Sequence, residues 1–440
     1  MALKFSISGL RGIVGKDLNP AVIYRYARDF GRFVNAGSIV IGRDTRQSGK
    51  IFRQAVIEGL NAADCPVIDL GIVPTPTVLF MVRRLKAGGG IVITASHNPI
   101  EWNALKFVSS QGLFLDERQF ARFAARLAPD DNASCDKRQR VRVRRSGLRE
   151  HIGAIVSKVK PVDVRLRVAV DAVAGAGSIG LPRVLEAMGC QVFRLNCRFA
   201  PVFPRGPVPT ARNITALRRF VKEHKLDIGF ACDPDCDRLA VVDERGRAIG
   251  EENTLVLAAD HVLGLERGSV VTNLSTTALV DFVARRHRVR LFRTKVGEAN
   301  VVSKMRSVSA VIGGEGNGGV IYPAVNFTRD ALVAAALIVK LVAKRGMKMS
   351  QIMASYPRYY MLKTKLSISR ERFEAKKQMI IEEFPGKTDH TDGLKITGDG
   401  WWLHIRPSQT EHVVRLIGEA GDKTQIKDFI NRAKKILSHK

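Results

Sequence analysis

The sequence predicts an α/β protein of several domains, and three observations carry that expectation. A chain of 440 residues is too long for one compact core and suggests about three domains, or four if one is small. Short apolar runs alternate with segments of helical periodicity in the first third, and the rhythm recurs twice, as in parallel strands joined by crossover helices. Residues 359–440 change character and read as a small α+β module.

The elements follow in order. After Asn19-Pro20, residues Ile23, Tyr26, Ala27, Phe30 and Val34 recur at helical spacing. Residues 38–42 read as a strand, 51–60 as a helix, 66–70 as a strand, 77–85 as a helix, and 90–94 as a strand ending in a polar turn. A strand at 166–171 runs into Gly175-Ala176-Gly177-Ser178 and a helix; a strand at 227–232 ends in an acidic cluster. The Gly175 turn lacks full Gly-x-Gly-x-x-Gly spacing and reads as a tight turn. Strands at 269–273, 289–294 and 310–313 come next. In the last module 370–384 reads as an amphipathic helix, 401–405 and 413–418 as strands, and 424–437 as a closing helix. Domain boundaries are expected near 150, 255 and 358.

Composition narrows the class. With 45% hydrophobic and 26% charged residues, the chain resembles ordinary globular proteins. No stretch approaches the ~18 uninterrupted apolar residues of a membrane span; the best candidate, 331–339, stops at Lys340. The first ten residues lack a signal-peptide pattern, so neither export nor membrane insertion is expected. Cys65, Cys135, Cys190, Cys197, Cys232 and Cys236 form no Cys-x-x-Cys pair, which fits reduced thiols in a cytoplasm. Cys232 and Cys236 read as small fillers. The net charge of +29 suits anionic substrates but exceeds what one phosphate site needs. It raises nucleic acid as an alternative partner. The densest basic run, 137–145, has no interleaved aromatics and reads as a solvated segment between domains.

Four motifs carry candidate chemistry. In Thr94-Ala95-Ser96-His97-Asn98-Pro99 a serine follows a buried strand, where open α/β sheets place ligands, although by itself it reads as an ordinary turn serine. In Asp233-Pro234-Asp235-Cys236-Asp237-Arg238 three alternate carboxylates leave an apolar strand. Hard oxygen donors without histidine suit Mg²⁺ better than Zn²⁺. The Gly313–Gly319 run holds Glu315 and Asn317 among glycines, and is equally a polar-ligand loop or a flexible turn. Arg406-Pro407-Ser408-Gln409-Thr410-Glu411, with Arg415, offers guanidiniums and hydroxyls to a dianion such as phosphate.

In this order, and together with Ile7-Ser8-Gly9-Leu10-Arg11-Gly12, the motifs resemble those of the α-D-phosphohexomutase family over nearly the whole chain. The resemblance implies four domains around a central cleft: three related α/β domains with mixed sheets and a smaller C-terminal α+β domain. They would span 1–150 with the phosphoserine, 151–255 with the metal loop, 256–358 with the sugar loop and 359–440 with the phosphate loop. It implies Ser96 as the phosphoserine, and Asp233, Asp235 and Asp237 as ligands, with Ser96, of one Mg²⁺ per chain. Arg238 would neighbour that phosphate. Arg11 and Lys106 match positions for proton transfer and phosphate stabilisation, with His97 close by. Glu315 and Asn317 would grip sugar hydroxyls, and Glu298 falls where sugar preference is often set. Arg406, Ser408, Gln409, Thr410 and Arg415 would hold the non-reacting phosphate. Gln409 and His412 replace the usual Asn and Pro, and Ala104 replaces a common glycine.

The implied activity interconverts hexose 6- and 1-phosphates, with hexose 1,6-bisphosphate as activator. The loop variant favours glucosamine phosphate as substrate, with glucose and mannose phosphates as alternatives. A cytoplasmic monomer or homodimer is expected. From other classes, an aspartyl-nucleophile phosphatase acting through Asp233 and a nucleic-acid-binding protein are the competing readings.

Overall fold

The computed structural model describes residues 3–35, 37–127, 140–408 and 413–438. The chain opens with the antiparallel pair β1 (Lys4–Ser6) and β2 (Gly9–Ile13). Helix α1 (Pro20–Phe33) starts where the Asn19 side chain accepts the Val22 N–H at 3.0 Å and Pro20 fills the first turn. Then come β3 (Ile39–Arg43), α2 (Ser48–Ala62), β4 (Val67–Ile72), α3 (Thr75–Arg84), β5 (Gly89–Ile93), β6 (Trp102–Ser109), α4 (Glu117–Ala124) and β7 (Val141–Val143). The seven strands lie in the order β1-β2-β6-β5-β3-β4-β7.

A second unit holds α5 (Gly147–Val159), β8 (Arg167–Asp171), α6 (Gly177–Ala187), β9 (Gln191–Leu195), α7 (Thr215–Glu223), β10 (Ile228–Cys232) and β11 (Leu239–Val242), with strand order β11-β10-β8-β9. The third holds α8 (Glu252–Leu263), β12 (Val270–Asn273), α9 (Leu279–Arg286), β13 (Leu291–Thr294), α10 (Glu298–Ser307), β14 (Ile312–Glu315), β15 (Gly319–Ile321), α11 (Ala331–Arg345) and α12 (Met349–Ala354), ordered β13-β12-β14-β15. The fourth is an antiparallel sheet, β16-β20-β19-β18-β17, built from β16 (Tyr360–Leu366), β17 (Lys387–Asp389), β18 (Leu394–Gly398), β19 (Trp401–Pro407) and β20 (Val414–Ala420). It is packed by α13 (Arg370–Glu383) and α14 (Lys423–Ser438).

The second and third sheets share one topology. The first strand is central, the next two flank it in parallel, and a fourth pairs antiparallel with the third. Strands β6-β5-β3-β4 repeat that pattern inside the first sheet. The sheets are therefore mixed, and pure parallel crossover, which alternation alone suggests, gives way at each unit's last strand. Each third strand (β5, β10, β14) ends at the equivalent edge and turns back through a connecting loop. Those three loops carry Ser96, the acidic trio and the Glu315 turn.

The apolar run 331–339 is neither a span nor a strand. It is the first part of α11, buried between α5, α6 and α8, as expected for a helix that is hydrophobic all round. One apolar cluster around it joins the second and third units. Positions 150 and 255, expected near domain boundaries, fall inside α5 and α8. Among the described residues no helix is long and apolar enough to cross a membrane. The described part of the basic run is largely exposed, as expected, but it does not merely link domains: it contributes β7, an edge strand parallel to β4, with Arg140 and Arg144 bonded to Asp64 and Glu150. Residues 137–139 and Cys135 lie outside the described residues.

Candidate active site

The chain leaves the fully buried β5 at Thr94, and Ser96 takes φ +51°, a left-handed conformation that a non-glycine residue keeps only when its surroundings impose it. The Ser96 N–H donates to Thr94 Oγ1 at 2.9 Å. Arg46, fully buried, donates through Nη2 to the carbonyl oxygens of Ser96 (2.9 Å) and Asn98 (2.7 Å). Its charge is met by Asp44, whose Oδ2 also accepts the Thr94 hydroxyl at 2.6 Å. The sequence reading assigned nothing to Asp44 or Arg46. A signal was there: both follow a parallel strand at its carboxyl end, the criterion that singled out Ser96.

The Ser96 hydroxyl donates to Asp233 Oδ2 at 3.1 Å, although 137 residues separate them. Asp233, Asp235 and Asp237 are buried, and their ligand atoms lie within 4.8 Å of one another. Asp233 is engaged on both oxygens, Asp235 and Asp237 on one each. Asp233 Oδ1 accepts the N–H groups of Asp237 (3.1 Å) and Arg238 (3.2 Å). Asp235 Oδ2 accepts Lys106 Nζ and Thr75 Oγ1, both at 2.8 Å. Asp237 Oδ2 pairs with Arg329 Nη2 at 2.6 Å. Asp235 Oδ1 and Asp237 Oδ1 are buried with no hydrogen-bond partner. Burial, then repulsion from Asp237 and Asp235, pushes the Asp233 carboxyl well above the usual carboxylate range. Burial would raise Asp235 too, but the Lys106 ammonium holds it below that range. Two orphaned carboxylate oxygens beside a hydroxyl, with oxygen donors alone, fit a hard divalent cation such as Mg²⁺.

Four further sequence-predicted residues surround Ser96. His97 Nδ1 lies 3.2 Å from Ser96 Oγ. The Arg238 charge, and then burial, push its imidazole down to about 2, so the ring is neutral. Arg11 donates to Asn98 Oδ1 at 2.9 Å, and burial lowers its guanidinium from the ordinary arginine value. It stands opposite Ala104 in the β2–β6 register, two residues from Lys106.

In the third unit, Glu315 ends β14 and Glu298 begins α10. Glu315 is engaged on both oxygens: Oε1 accepts Asn273 Nδ2 (2.9 Å) and the Gly297 N–H (3.0 Å), while Oε2 accepts Arg329 Nη1 (2.9 Å) and Asn317 Nδ2 (3.3 Å). Glu298 accepts Thr328 Oγ1 at 2.5 Å and the Arg329 N–H at 3.0 Å. Burial raises Glu298; it would raise Glu315 as well, but the Arg329 charge lowers that group instead. Arg329 was not foreseen. It sits outside every motif, just before a helix whose apolar run is the louder signal.

In the fourth unit, Arg406 on β19 and Arg415 on β20 are direct cross-strand partners, and Lys365 on β16 pairs with Arg415 on its other side. Like charges directly opposite destabilise a sheet, so this row suits an anion. Arg406 Nε also pairs with Asp392 Oδ2 at 3.0 Å. Ser408 donates its N–H to the Val413 oxygen (2.8 Å). Gln409, Thr410 and His412 lie outside the described residues. Arg11, Ser96, His97, Lys106, Arg238, Glu298, Glu315, Asn317, Arg406 and Arg415 line one cleft of about 910 Å³, reached by all four units.

Three units of one topology and a fourth module, closing on a cleft lined by arginines and lysines beside an acidic trio, have the build of an enzyme acting on phosphorylated small molecules. Residues 2–133, 149–246 and 251–359 match the alpha/beta/alpha domains I, II and III of phosphoglucomutase/phosphomannomutase. The chain is 35% identical to a phosphoglucomutase/phosphomannomutase of Thermococcus kodakarensis, covering 99% of each, and 32% identical to a probable phosphoglucosamine mutase of Methanopyrus kandleri, covering 98% and 96%. A phosphoglucomutase/phosphomannomutase family protein from Burkholderia thailandensis superposes with a TM-score of 0.86 at 25% identity, covering 99% of this chain and 98% of that one. The chain belongs to the α-D-phosphohexomutase superfamily and is a mutase of the phosphohexomutase type.

Proposed function

We propose that the enzyme interconverts a hexose 6-phosphate and a hexose 1-phosphate through phosphorylated Ser96 and a hexose 1,6-bisphosphate. Glucosamine phosphate is the first-choice substrate, and glucose and mannose phosphates are the alternatives. The contact of Ser96 Oγ with Asp233 Oδ2, in the cleft that also holds Arg406 and Arg415, carries the reading. A phosphoryl group on Ser96 would lie against a carboxylate, an arrangement compatible only with a cation between them. Asp233, Asp235 and Asp237 would hold Mg²⁺ with a phosphoserine oxygen. When bound, the ion withdraws charge from the phosphoryl group and makes the serine oxygen a better leaving group.

The chain's own residues do the rest. Arg406 and Arg415, with Ser408, Gln409 and Thr410, bind the phosphate already on the sugar. Glu315 and Asn317 bind ring hydroxyls, and Glu298 reads the sugar type. The free hydroxyl then faces Ser96. Its oxygen bonds to phosphorus as the bond from phosphorus to Ser96 Oγ breaks. Its proton would pass by way of Arg11, whose hold on its own proton burial weakens, or Lys106, and a proton returns to Ser96 Oγ, with His97 alongside. Arg238 offsets the phosphate charge. The bisphosphate turns over in the cleft, and its other phosphoryl group returns to Ser96. Hexose 1,6-bisphosphate supplied from solution primes Ser96 by the same reversal.

Glucosamine is supported by charge. The carboxylates of Glu298 and Glu315 beside the sugar loop could accept from an ammonium group on the ring. A phosphatase route through Asp233 is disfavoured, because both its oxygens are engaged and its side chain is buried.

After incubation with glucose 1,6-bisphosphate, peptide mass spectrometry should find phosphate on the Ser96 peptide. Ser96→Ala should abolish nearly all activity while calorimetric Mg²⁺ binding persists; full activity in that variant would overturn the proposal. Comparing kcat/KM for the three sugar phosphates ranks the substrates.

A further inference from the structure

We infer that Arg329 is a positioning residue that couples the sugar-binding carboxylates to the cation site. The inference rests on the mutase reading above and deepens it. Arg329 immediately precedes Asp330, which caps α11 by accepting the Leu332 and Val333 N–H groups. Asp330 Oδ2 also lies 2.9 Å from His151 Nε2, and His151 Nδ1 lies 3.1 Å from Thr77 Oγ1. The Arg329 backbone is thus fixed in the shared core of the second and third units.

From that base its guanidinium meets three carboxylates on three elements. Nη2 pairs with Asp237 Oδ2 in the loop after β10 (2.6 Å), Nη1 with Glu315 Oε2 at the end of β14 (2.9 Å), and Nε with Glu298 Oε2 at the start of α10 (3.1 Å). A planar fork with five donors can hold all three at once; a lysine ammonium, a single point charge, cannot. The contact divides the labour within Asp237. With Oδ2 pinned, Oδ1, which is buried, has no hydrogen-bond partner and lies 3.8 Å from Arg238 Nε, is the oxygen left for a cation. Glu298 and Glu315 are the pair proposed to read the sugar. Any shift of either carboxylate toward a bound sugar therefore changes the field and the fit at Asp237.

Two variants of the full-length, dephosphorylated protein test this, with Mn²⁺ as the probe, followed by electron paramagnetic resonance with and without glucosamine 6-phosphate. Arg329→Met should weaken Mn²⁺ binding about tenfold and raise the KM for the sugar phosphate about tenfold, as loss of a supporting contact does at other metal sites. Arg329→Lys should restore part of the Mn²⁺ affinity. In that variant the sugar phosphate should no longer change the Mn²⁺ affinity, whereas in the wild type it does. Mn²⁺ affinity and KM within about twofold of wild type in Arg329→Met would overturn the inference. If Arg329→Met does not fold, Arg329→Lys decides: wild-type coupling between sugar phosphate and Mn²⁺ overturns the inference, and lost coupling supports it. A wild-type protein that binds no Mn²⁺ would sink the cation site itself; a wild type that binds it normally beside unaffected variants would sink only this inference.

Discussion

Ser96 presents its hydroxyl from a backbone conformation that side chains disfavour, and Arg46 holds it there through two carbonyl bonds. Displacing a nucleophile by even ~1 Å can cost ~100-fold in rate. Arg46→Lys should therefore lower kcat by about that factor, with KM changed by no more than a few-fold. Steady-state kinetics check this, and an unchanged kcat would remove Arg46 from the reaction. The acidic trio was legible as a candidate cation site because it follows an apolar strand that had to be buried, whereas Ser96 by itself reads as a turn serine and is marked only by the family resemblance. Arg46 and Arg329 were not legible, because their partners lie far along the chain: Arg46 to Ser96 spans 50 residues and Arg329 to Asp237 spans 92. Residue type and local spacing say nothing about such pairs.

Five strands read from sequence, β3, β5, β8, β10 and β12, are buried runs that lie within a residue or so of expectation, but the buried β6, β11 and β15 were not read. Strands that escaped notice are those with polar alternation or little length, such as β6, β7 and β17. Missing β6 hid the antiparallel return that sets each functional loop. The Gly175 turn, read as a simple tight turn, has a packing reason. A Cβ there would lie 2.5 Å from the Pro234 oxygen and 2.7 Å from its Cα, so the turn buttresses the acidic loop from behind. Gly175→Ala should destabilise the protein by about 1–3 kcal/mol. It should also weaken Mn²⁺ binding by pushing Pro234 outward. Urea unfolding and metal titration read the two effects separately.

At the scale of the molecule, the second and third units share a core, whereas the fourth docks mainly through polar contacts. Glu419 accepts from Thr277 Oγ1 (2.5 Å) and the Ala278 N–H (2.6 Å), and Asp392 from the Val296 N–H (2.9 Å). Lys363 pairs with Glu251 (2.8 Å) and Glu252 (2.7 Å). Burial lifts Glu252 to about 7 against an ordinary 4.5, despite Lys363 and the Thr277 N–H that face it. Between those values the folded protein keeps a proton that the unfolded chain has released, so this group's contribution to stability falls as pH rises through that window. The unfolding free energy of wild type relative to Glu252→Gln should thus decline from about pH 5 to about pH 7 and level off above it. Denaturant curves for the pair at several pH values check this, and parallel profiles would refute it. The row Lys365, Arg415 and Arg406 has a practical consequence. Asp392 offsets the Arg406 charge from one side, and a tetrahedral anion reaching Arg406 and Arg415 from the cleft would offset more of the row, so orthophosphate or sulfate in a buffer is expected to compete with a sugar phosphate proposed to anchor there. Under the proposed function, initial rates measured with and without added orthophosphate should show competition with the sugar phosphate.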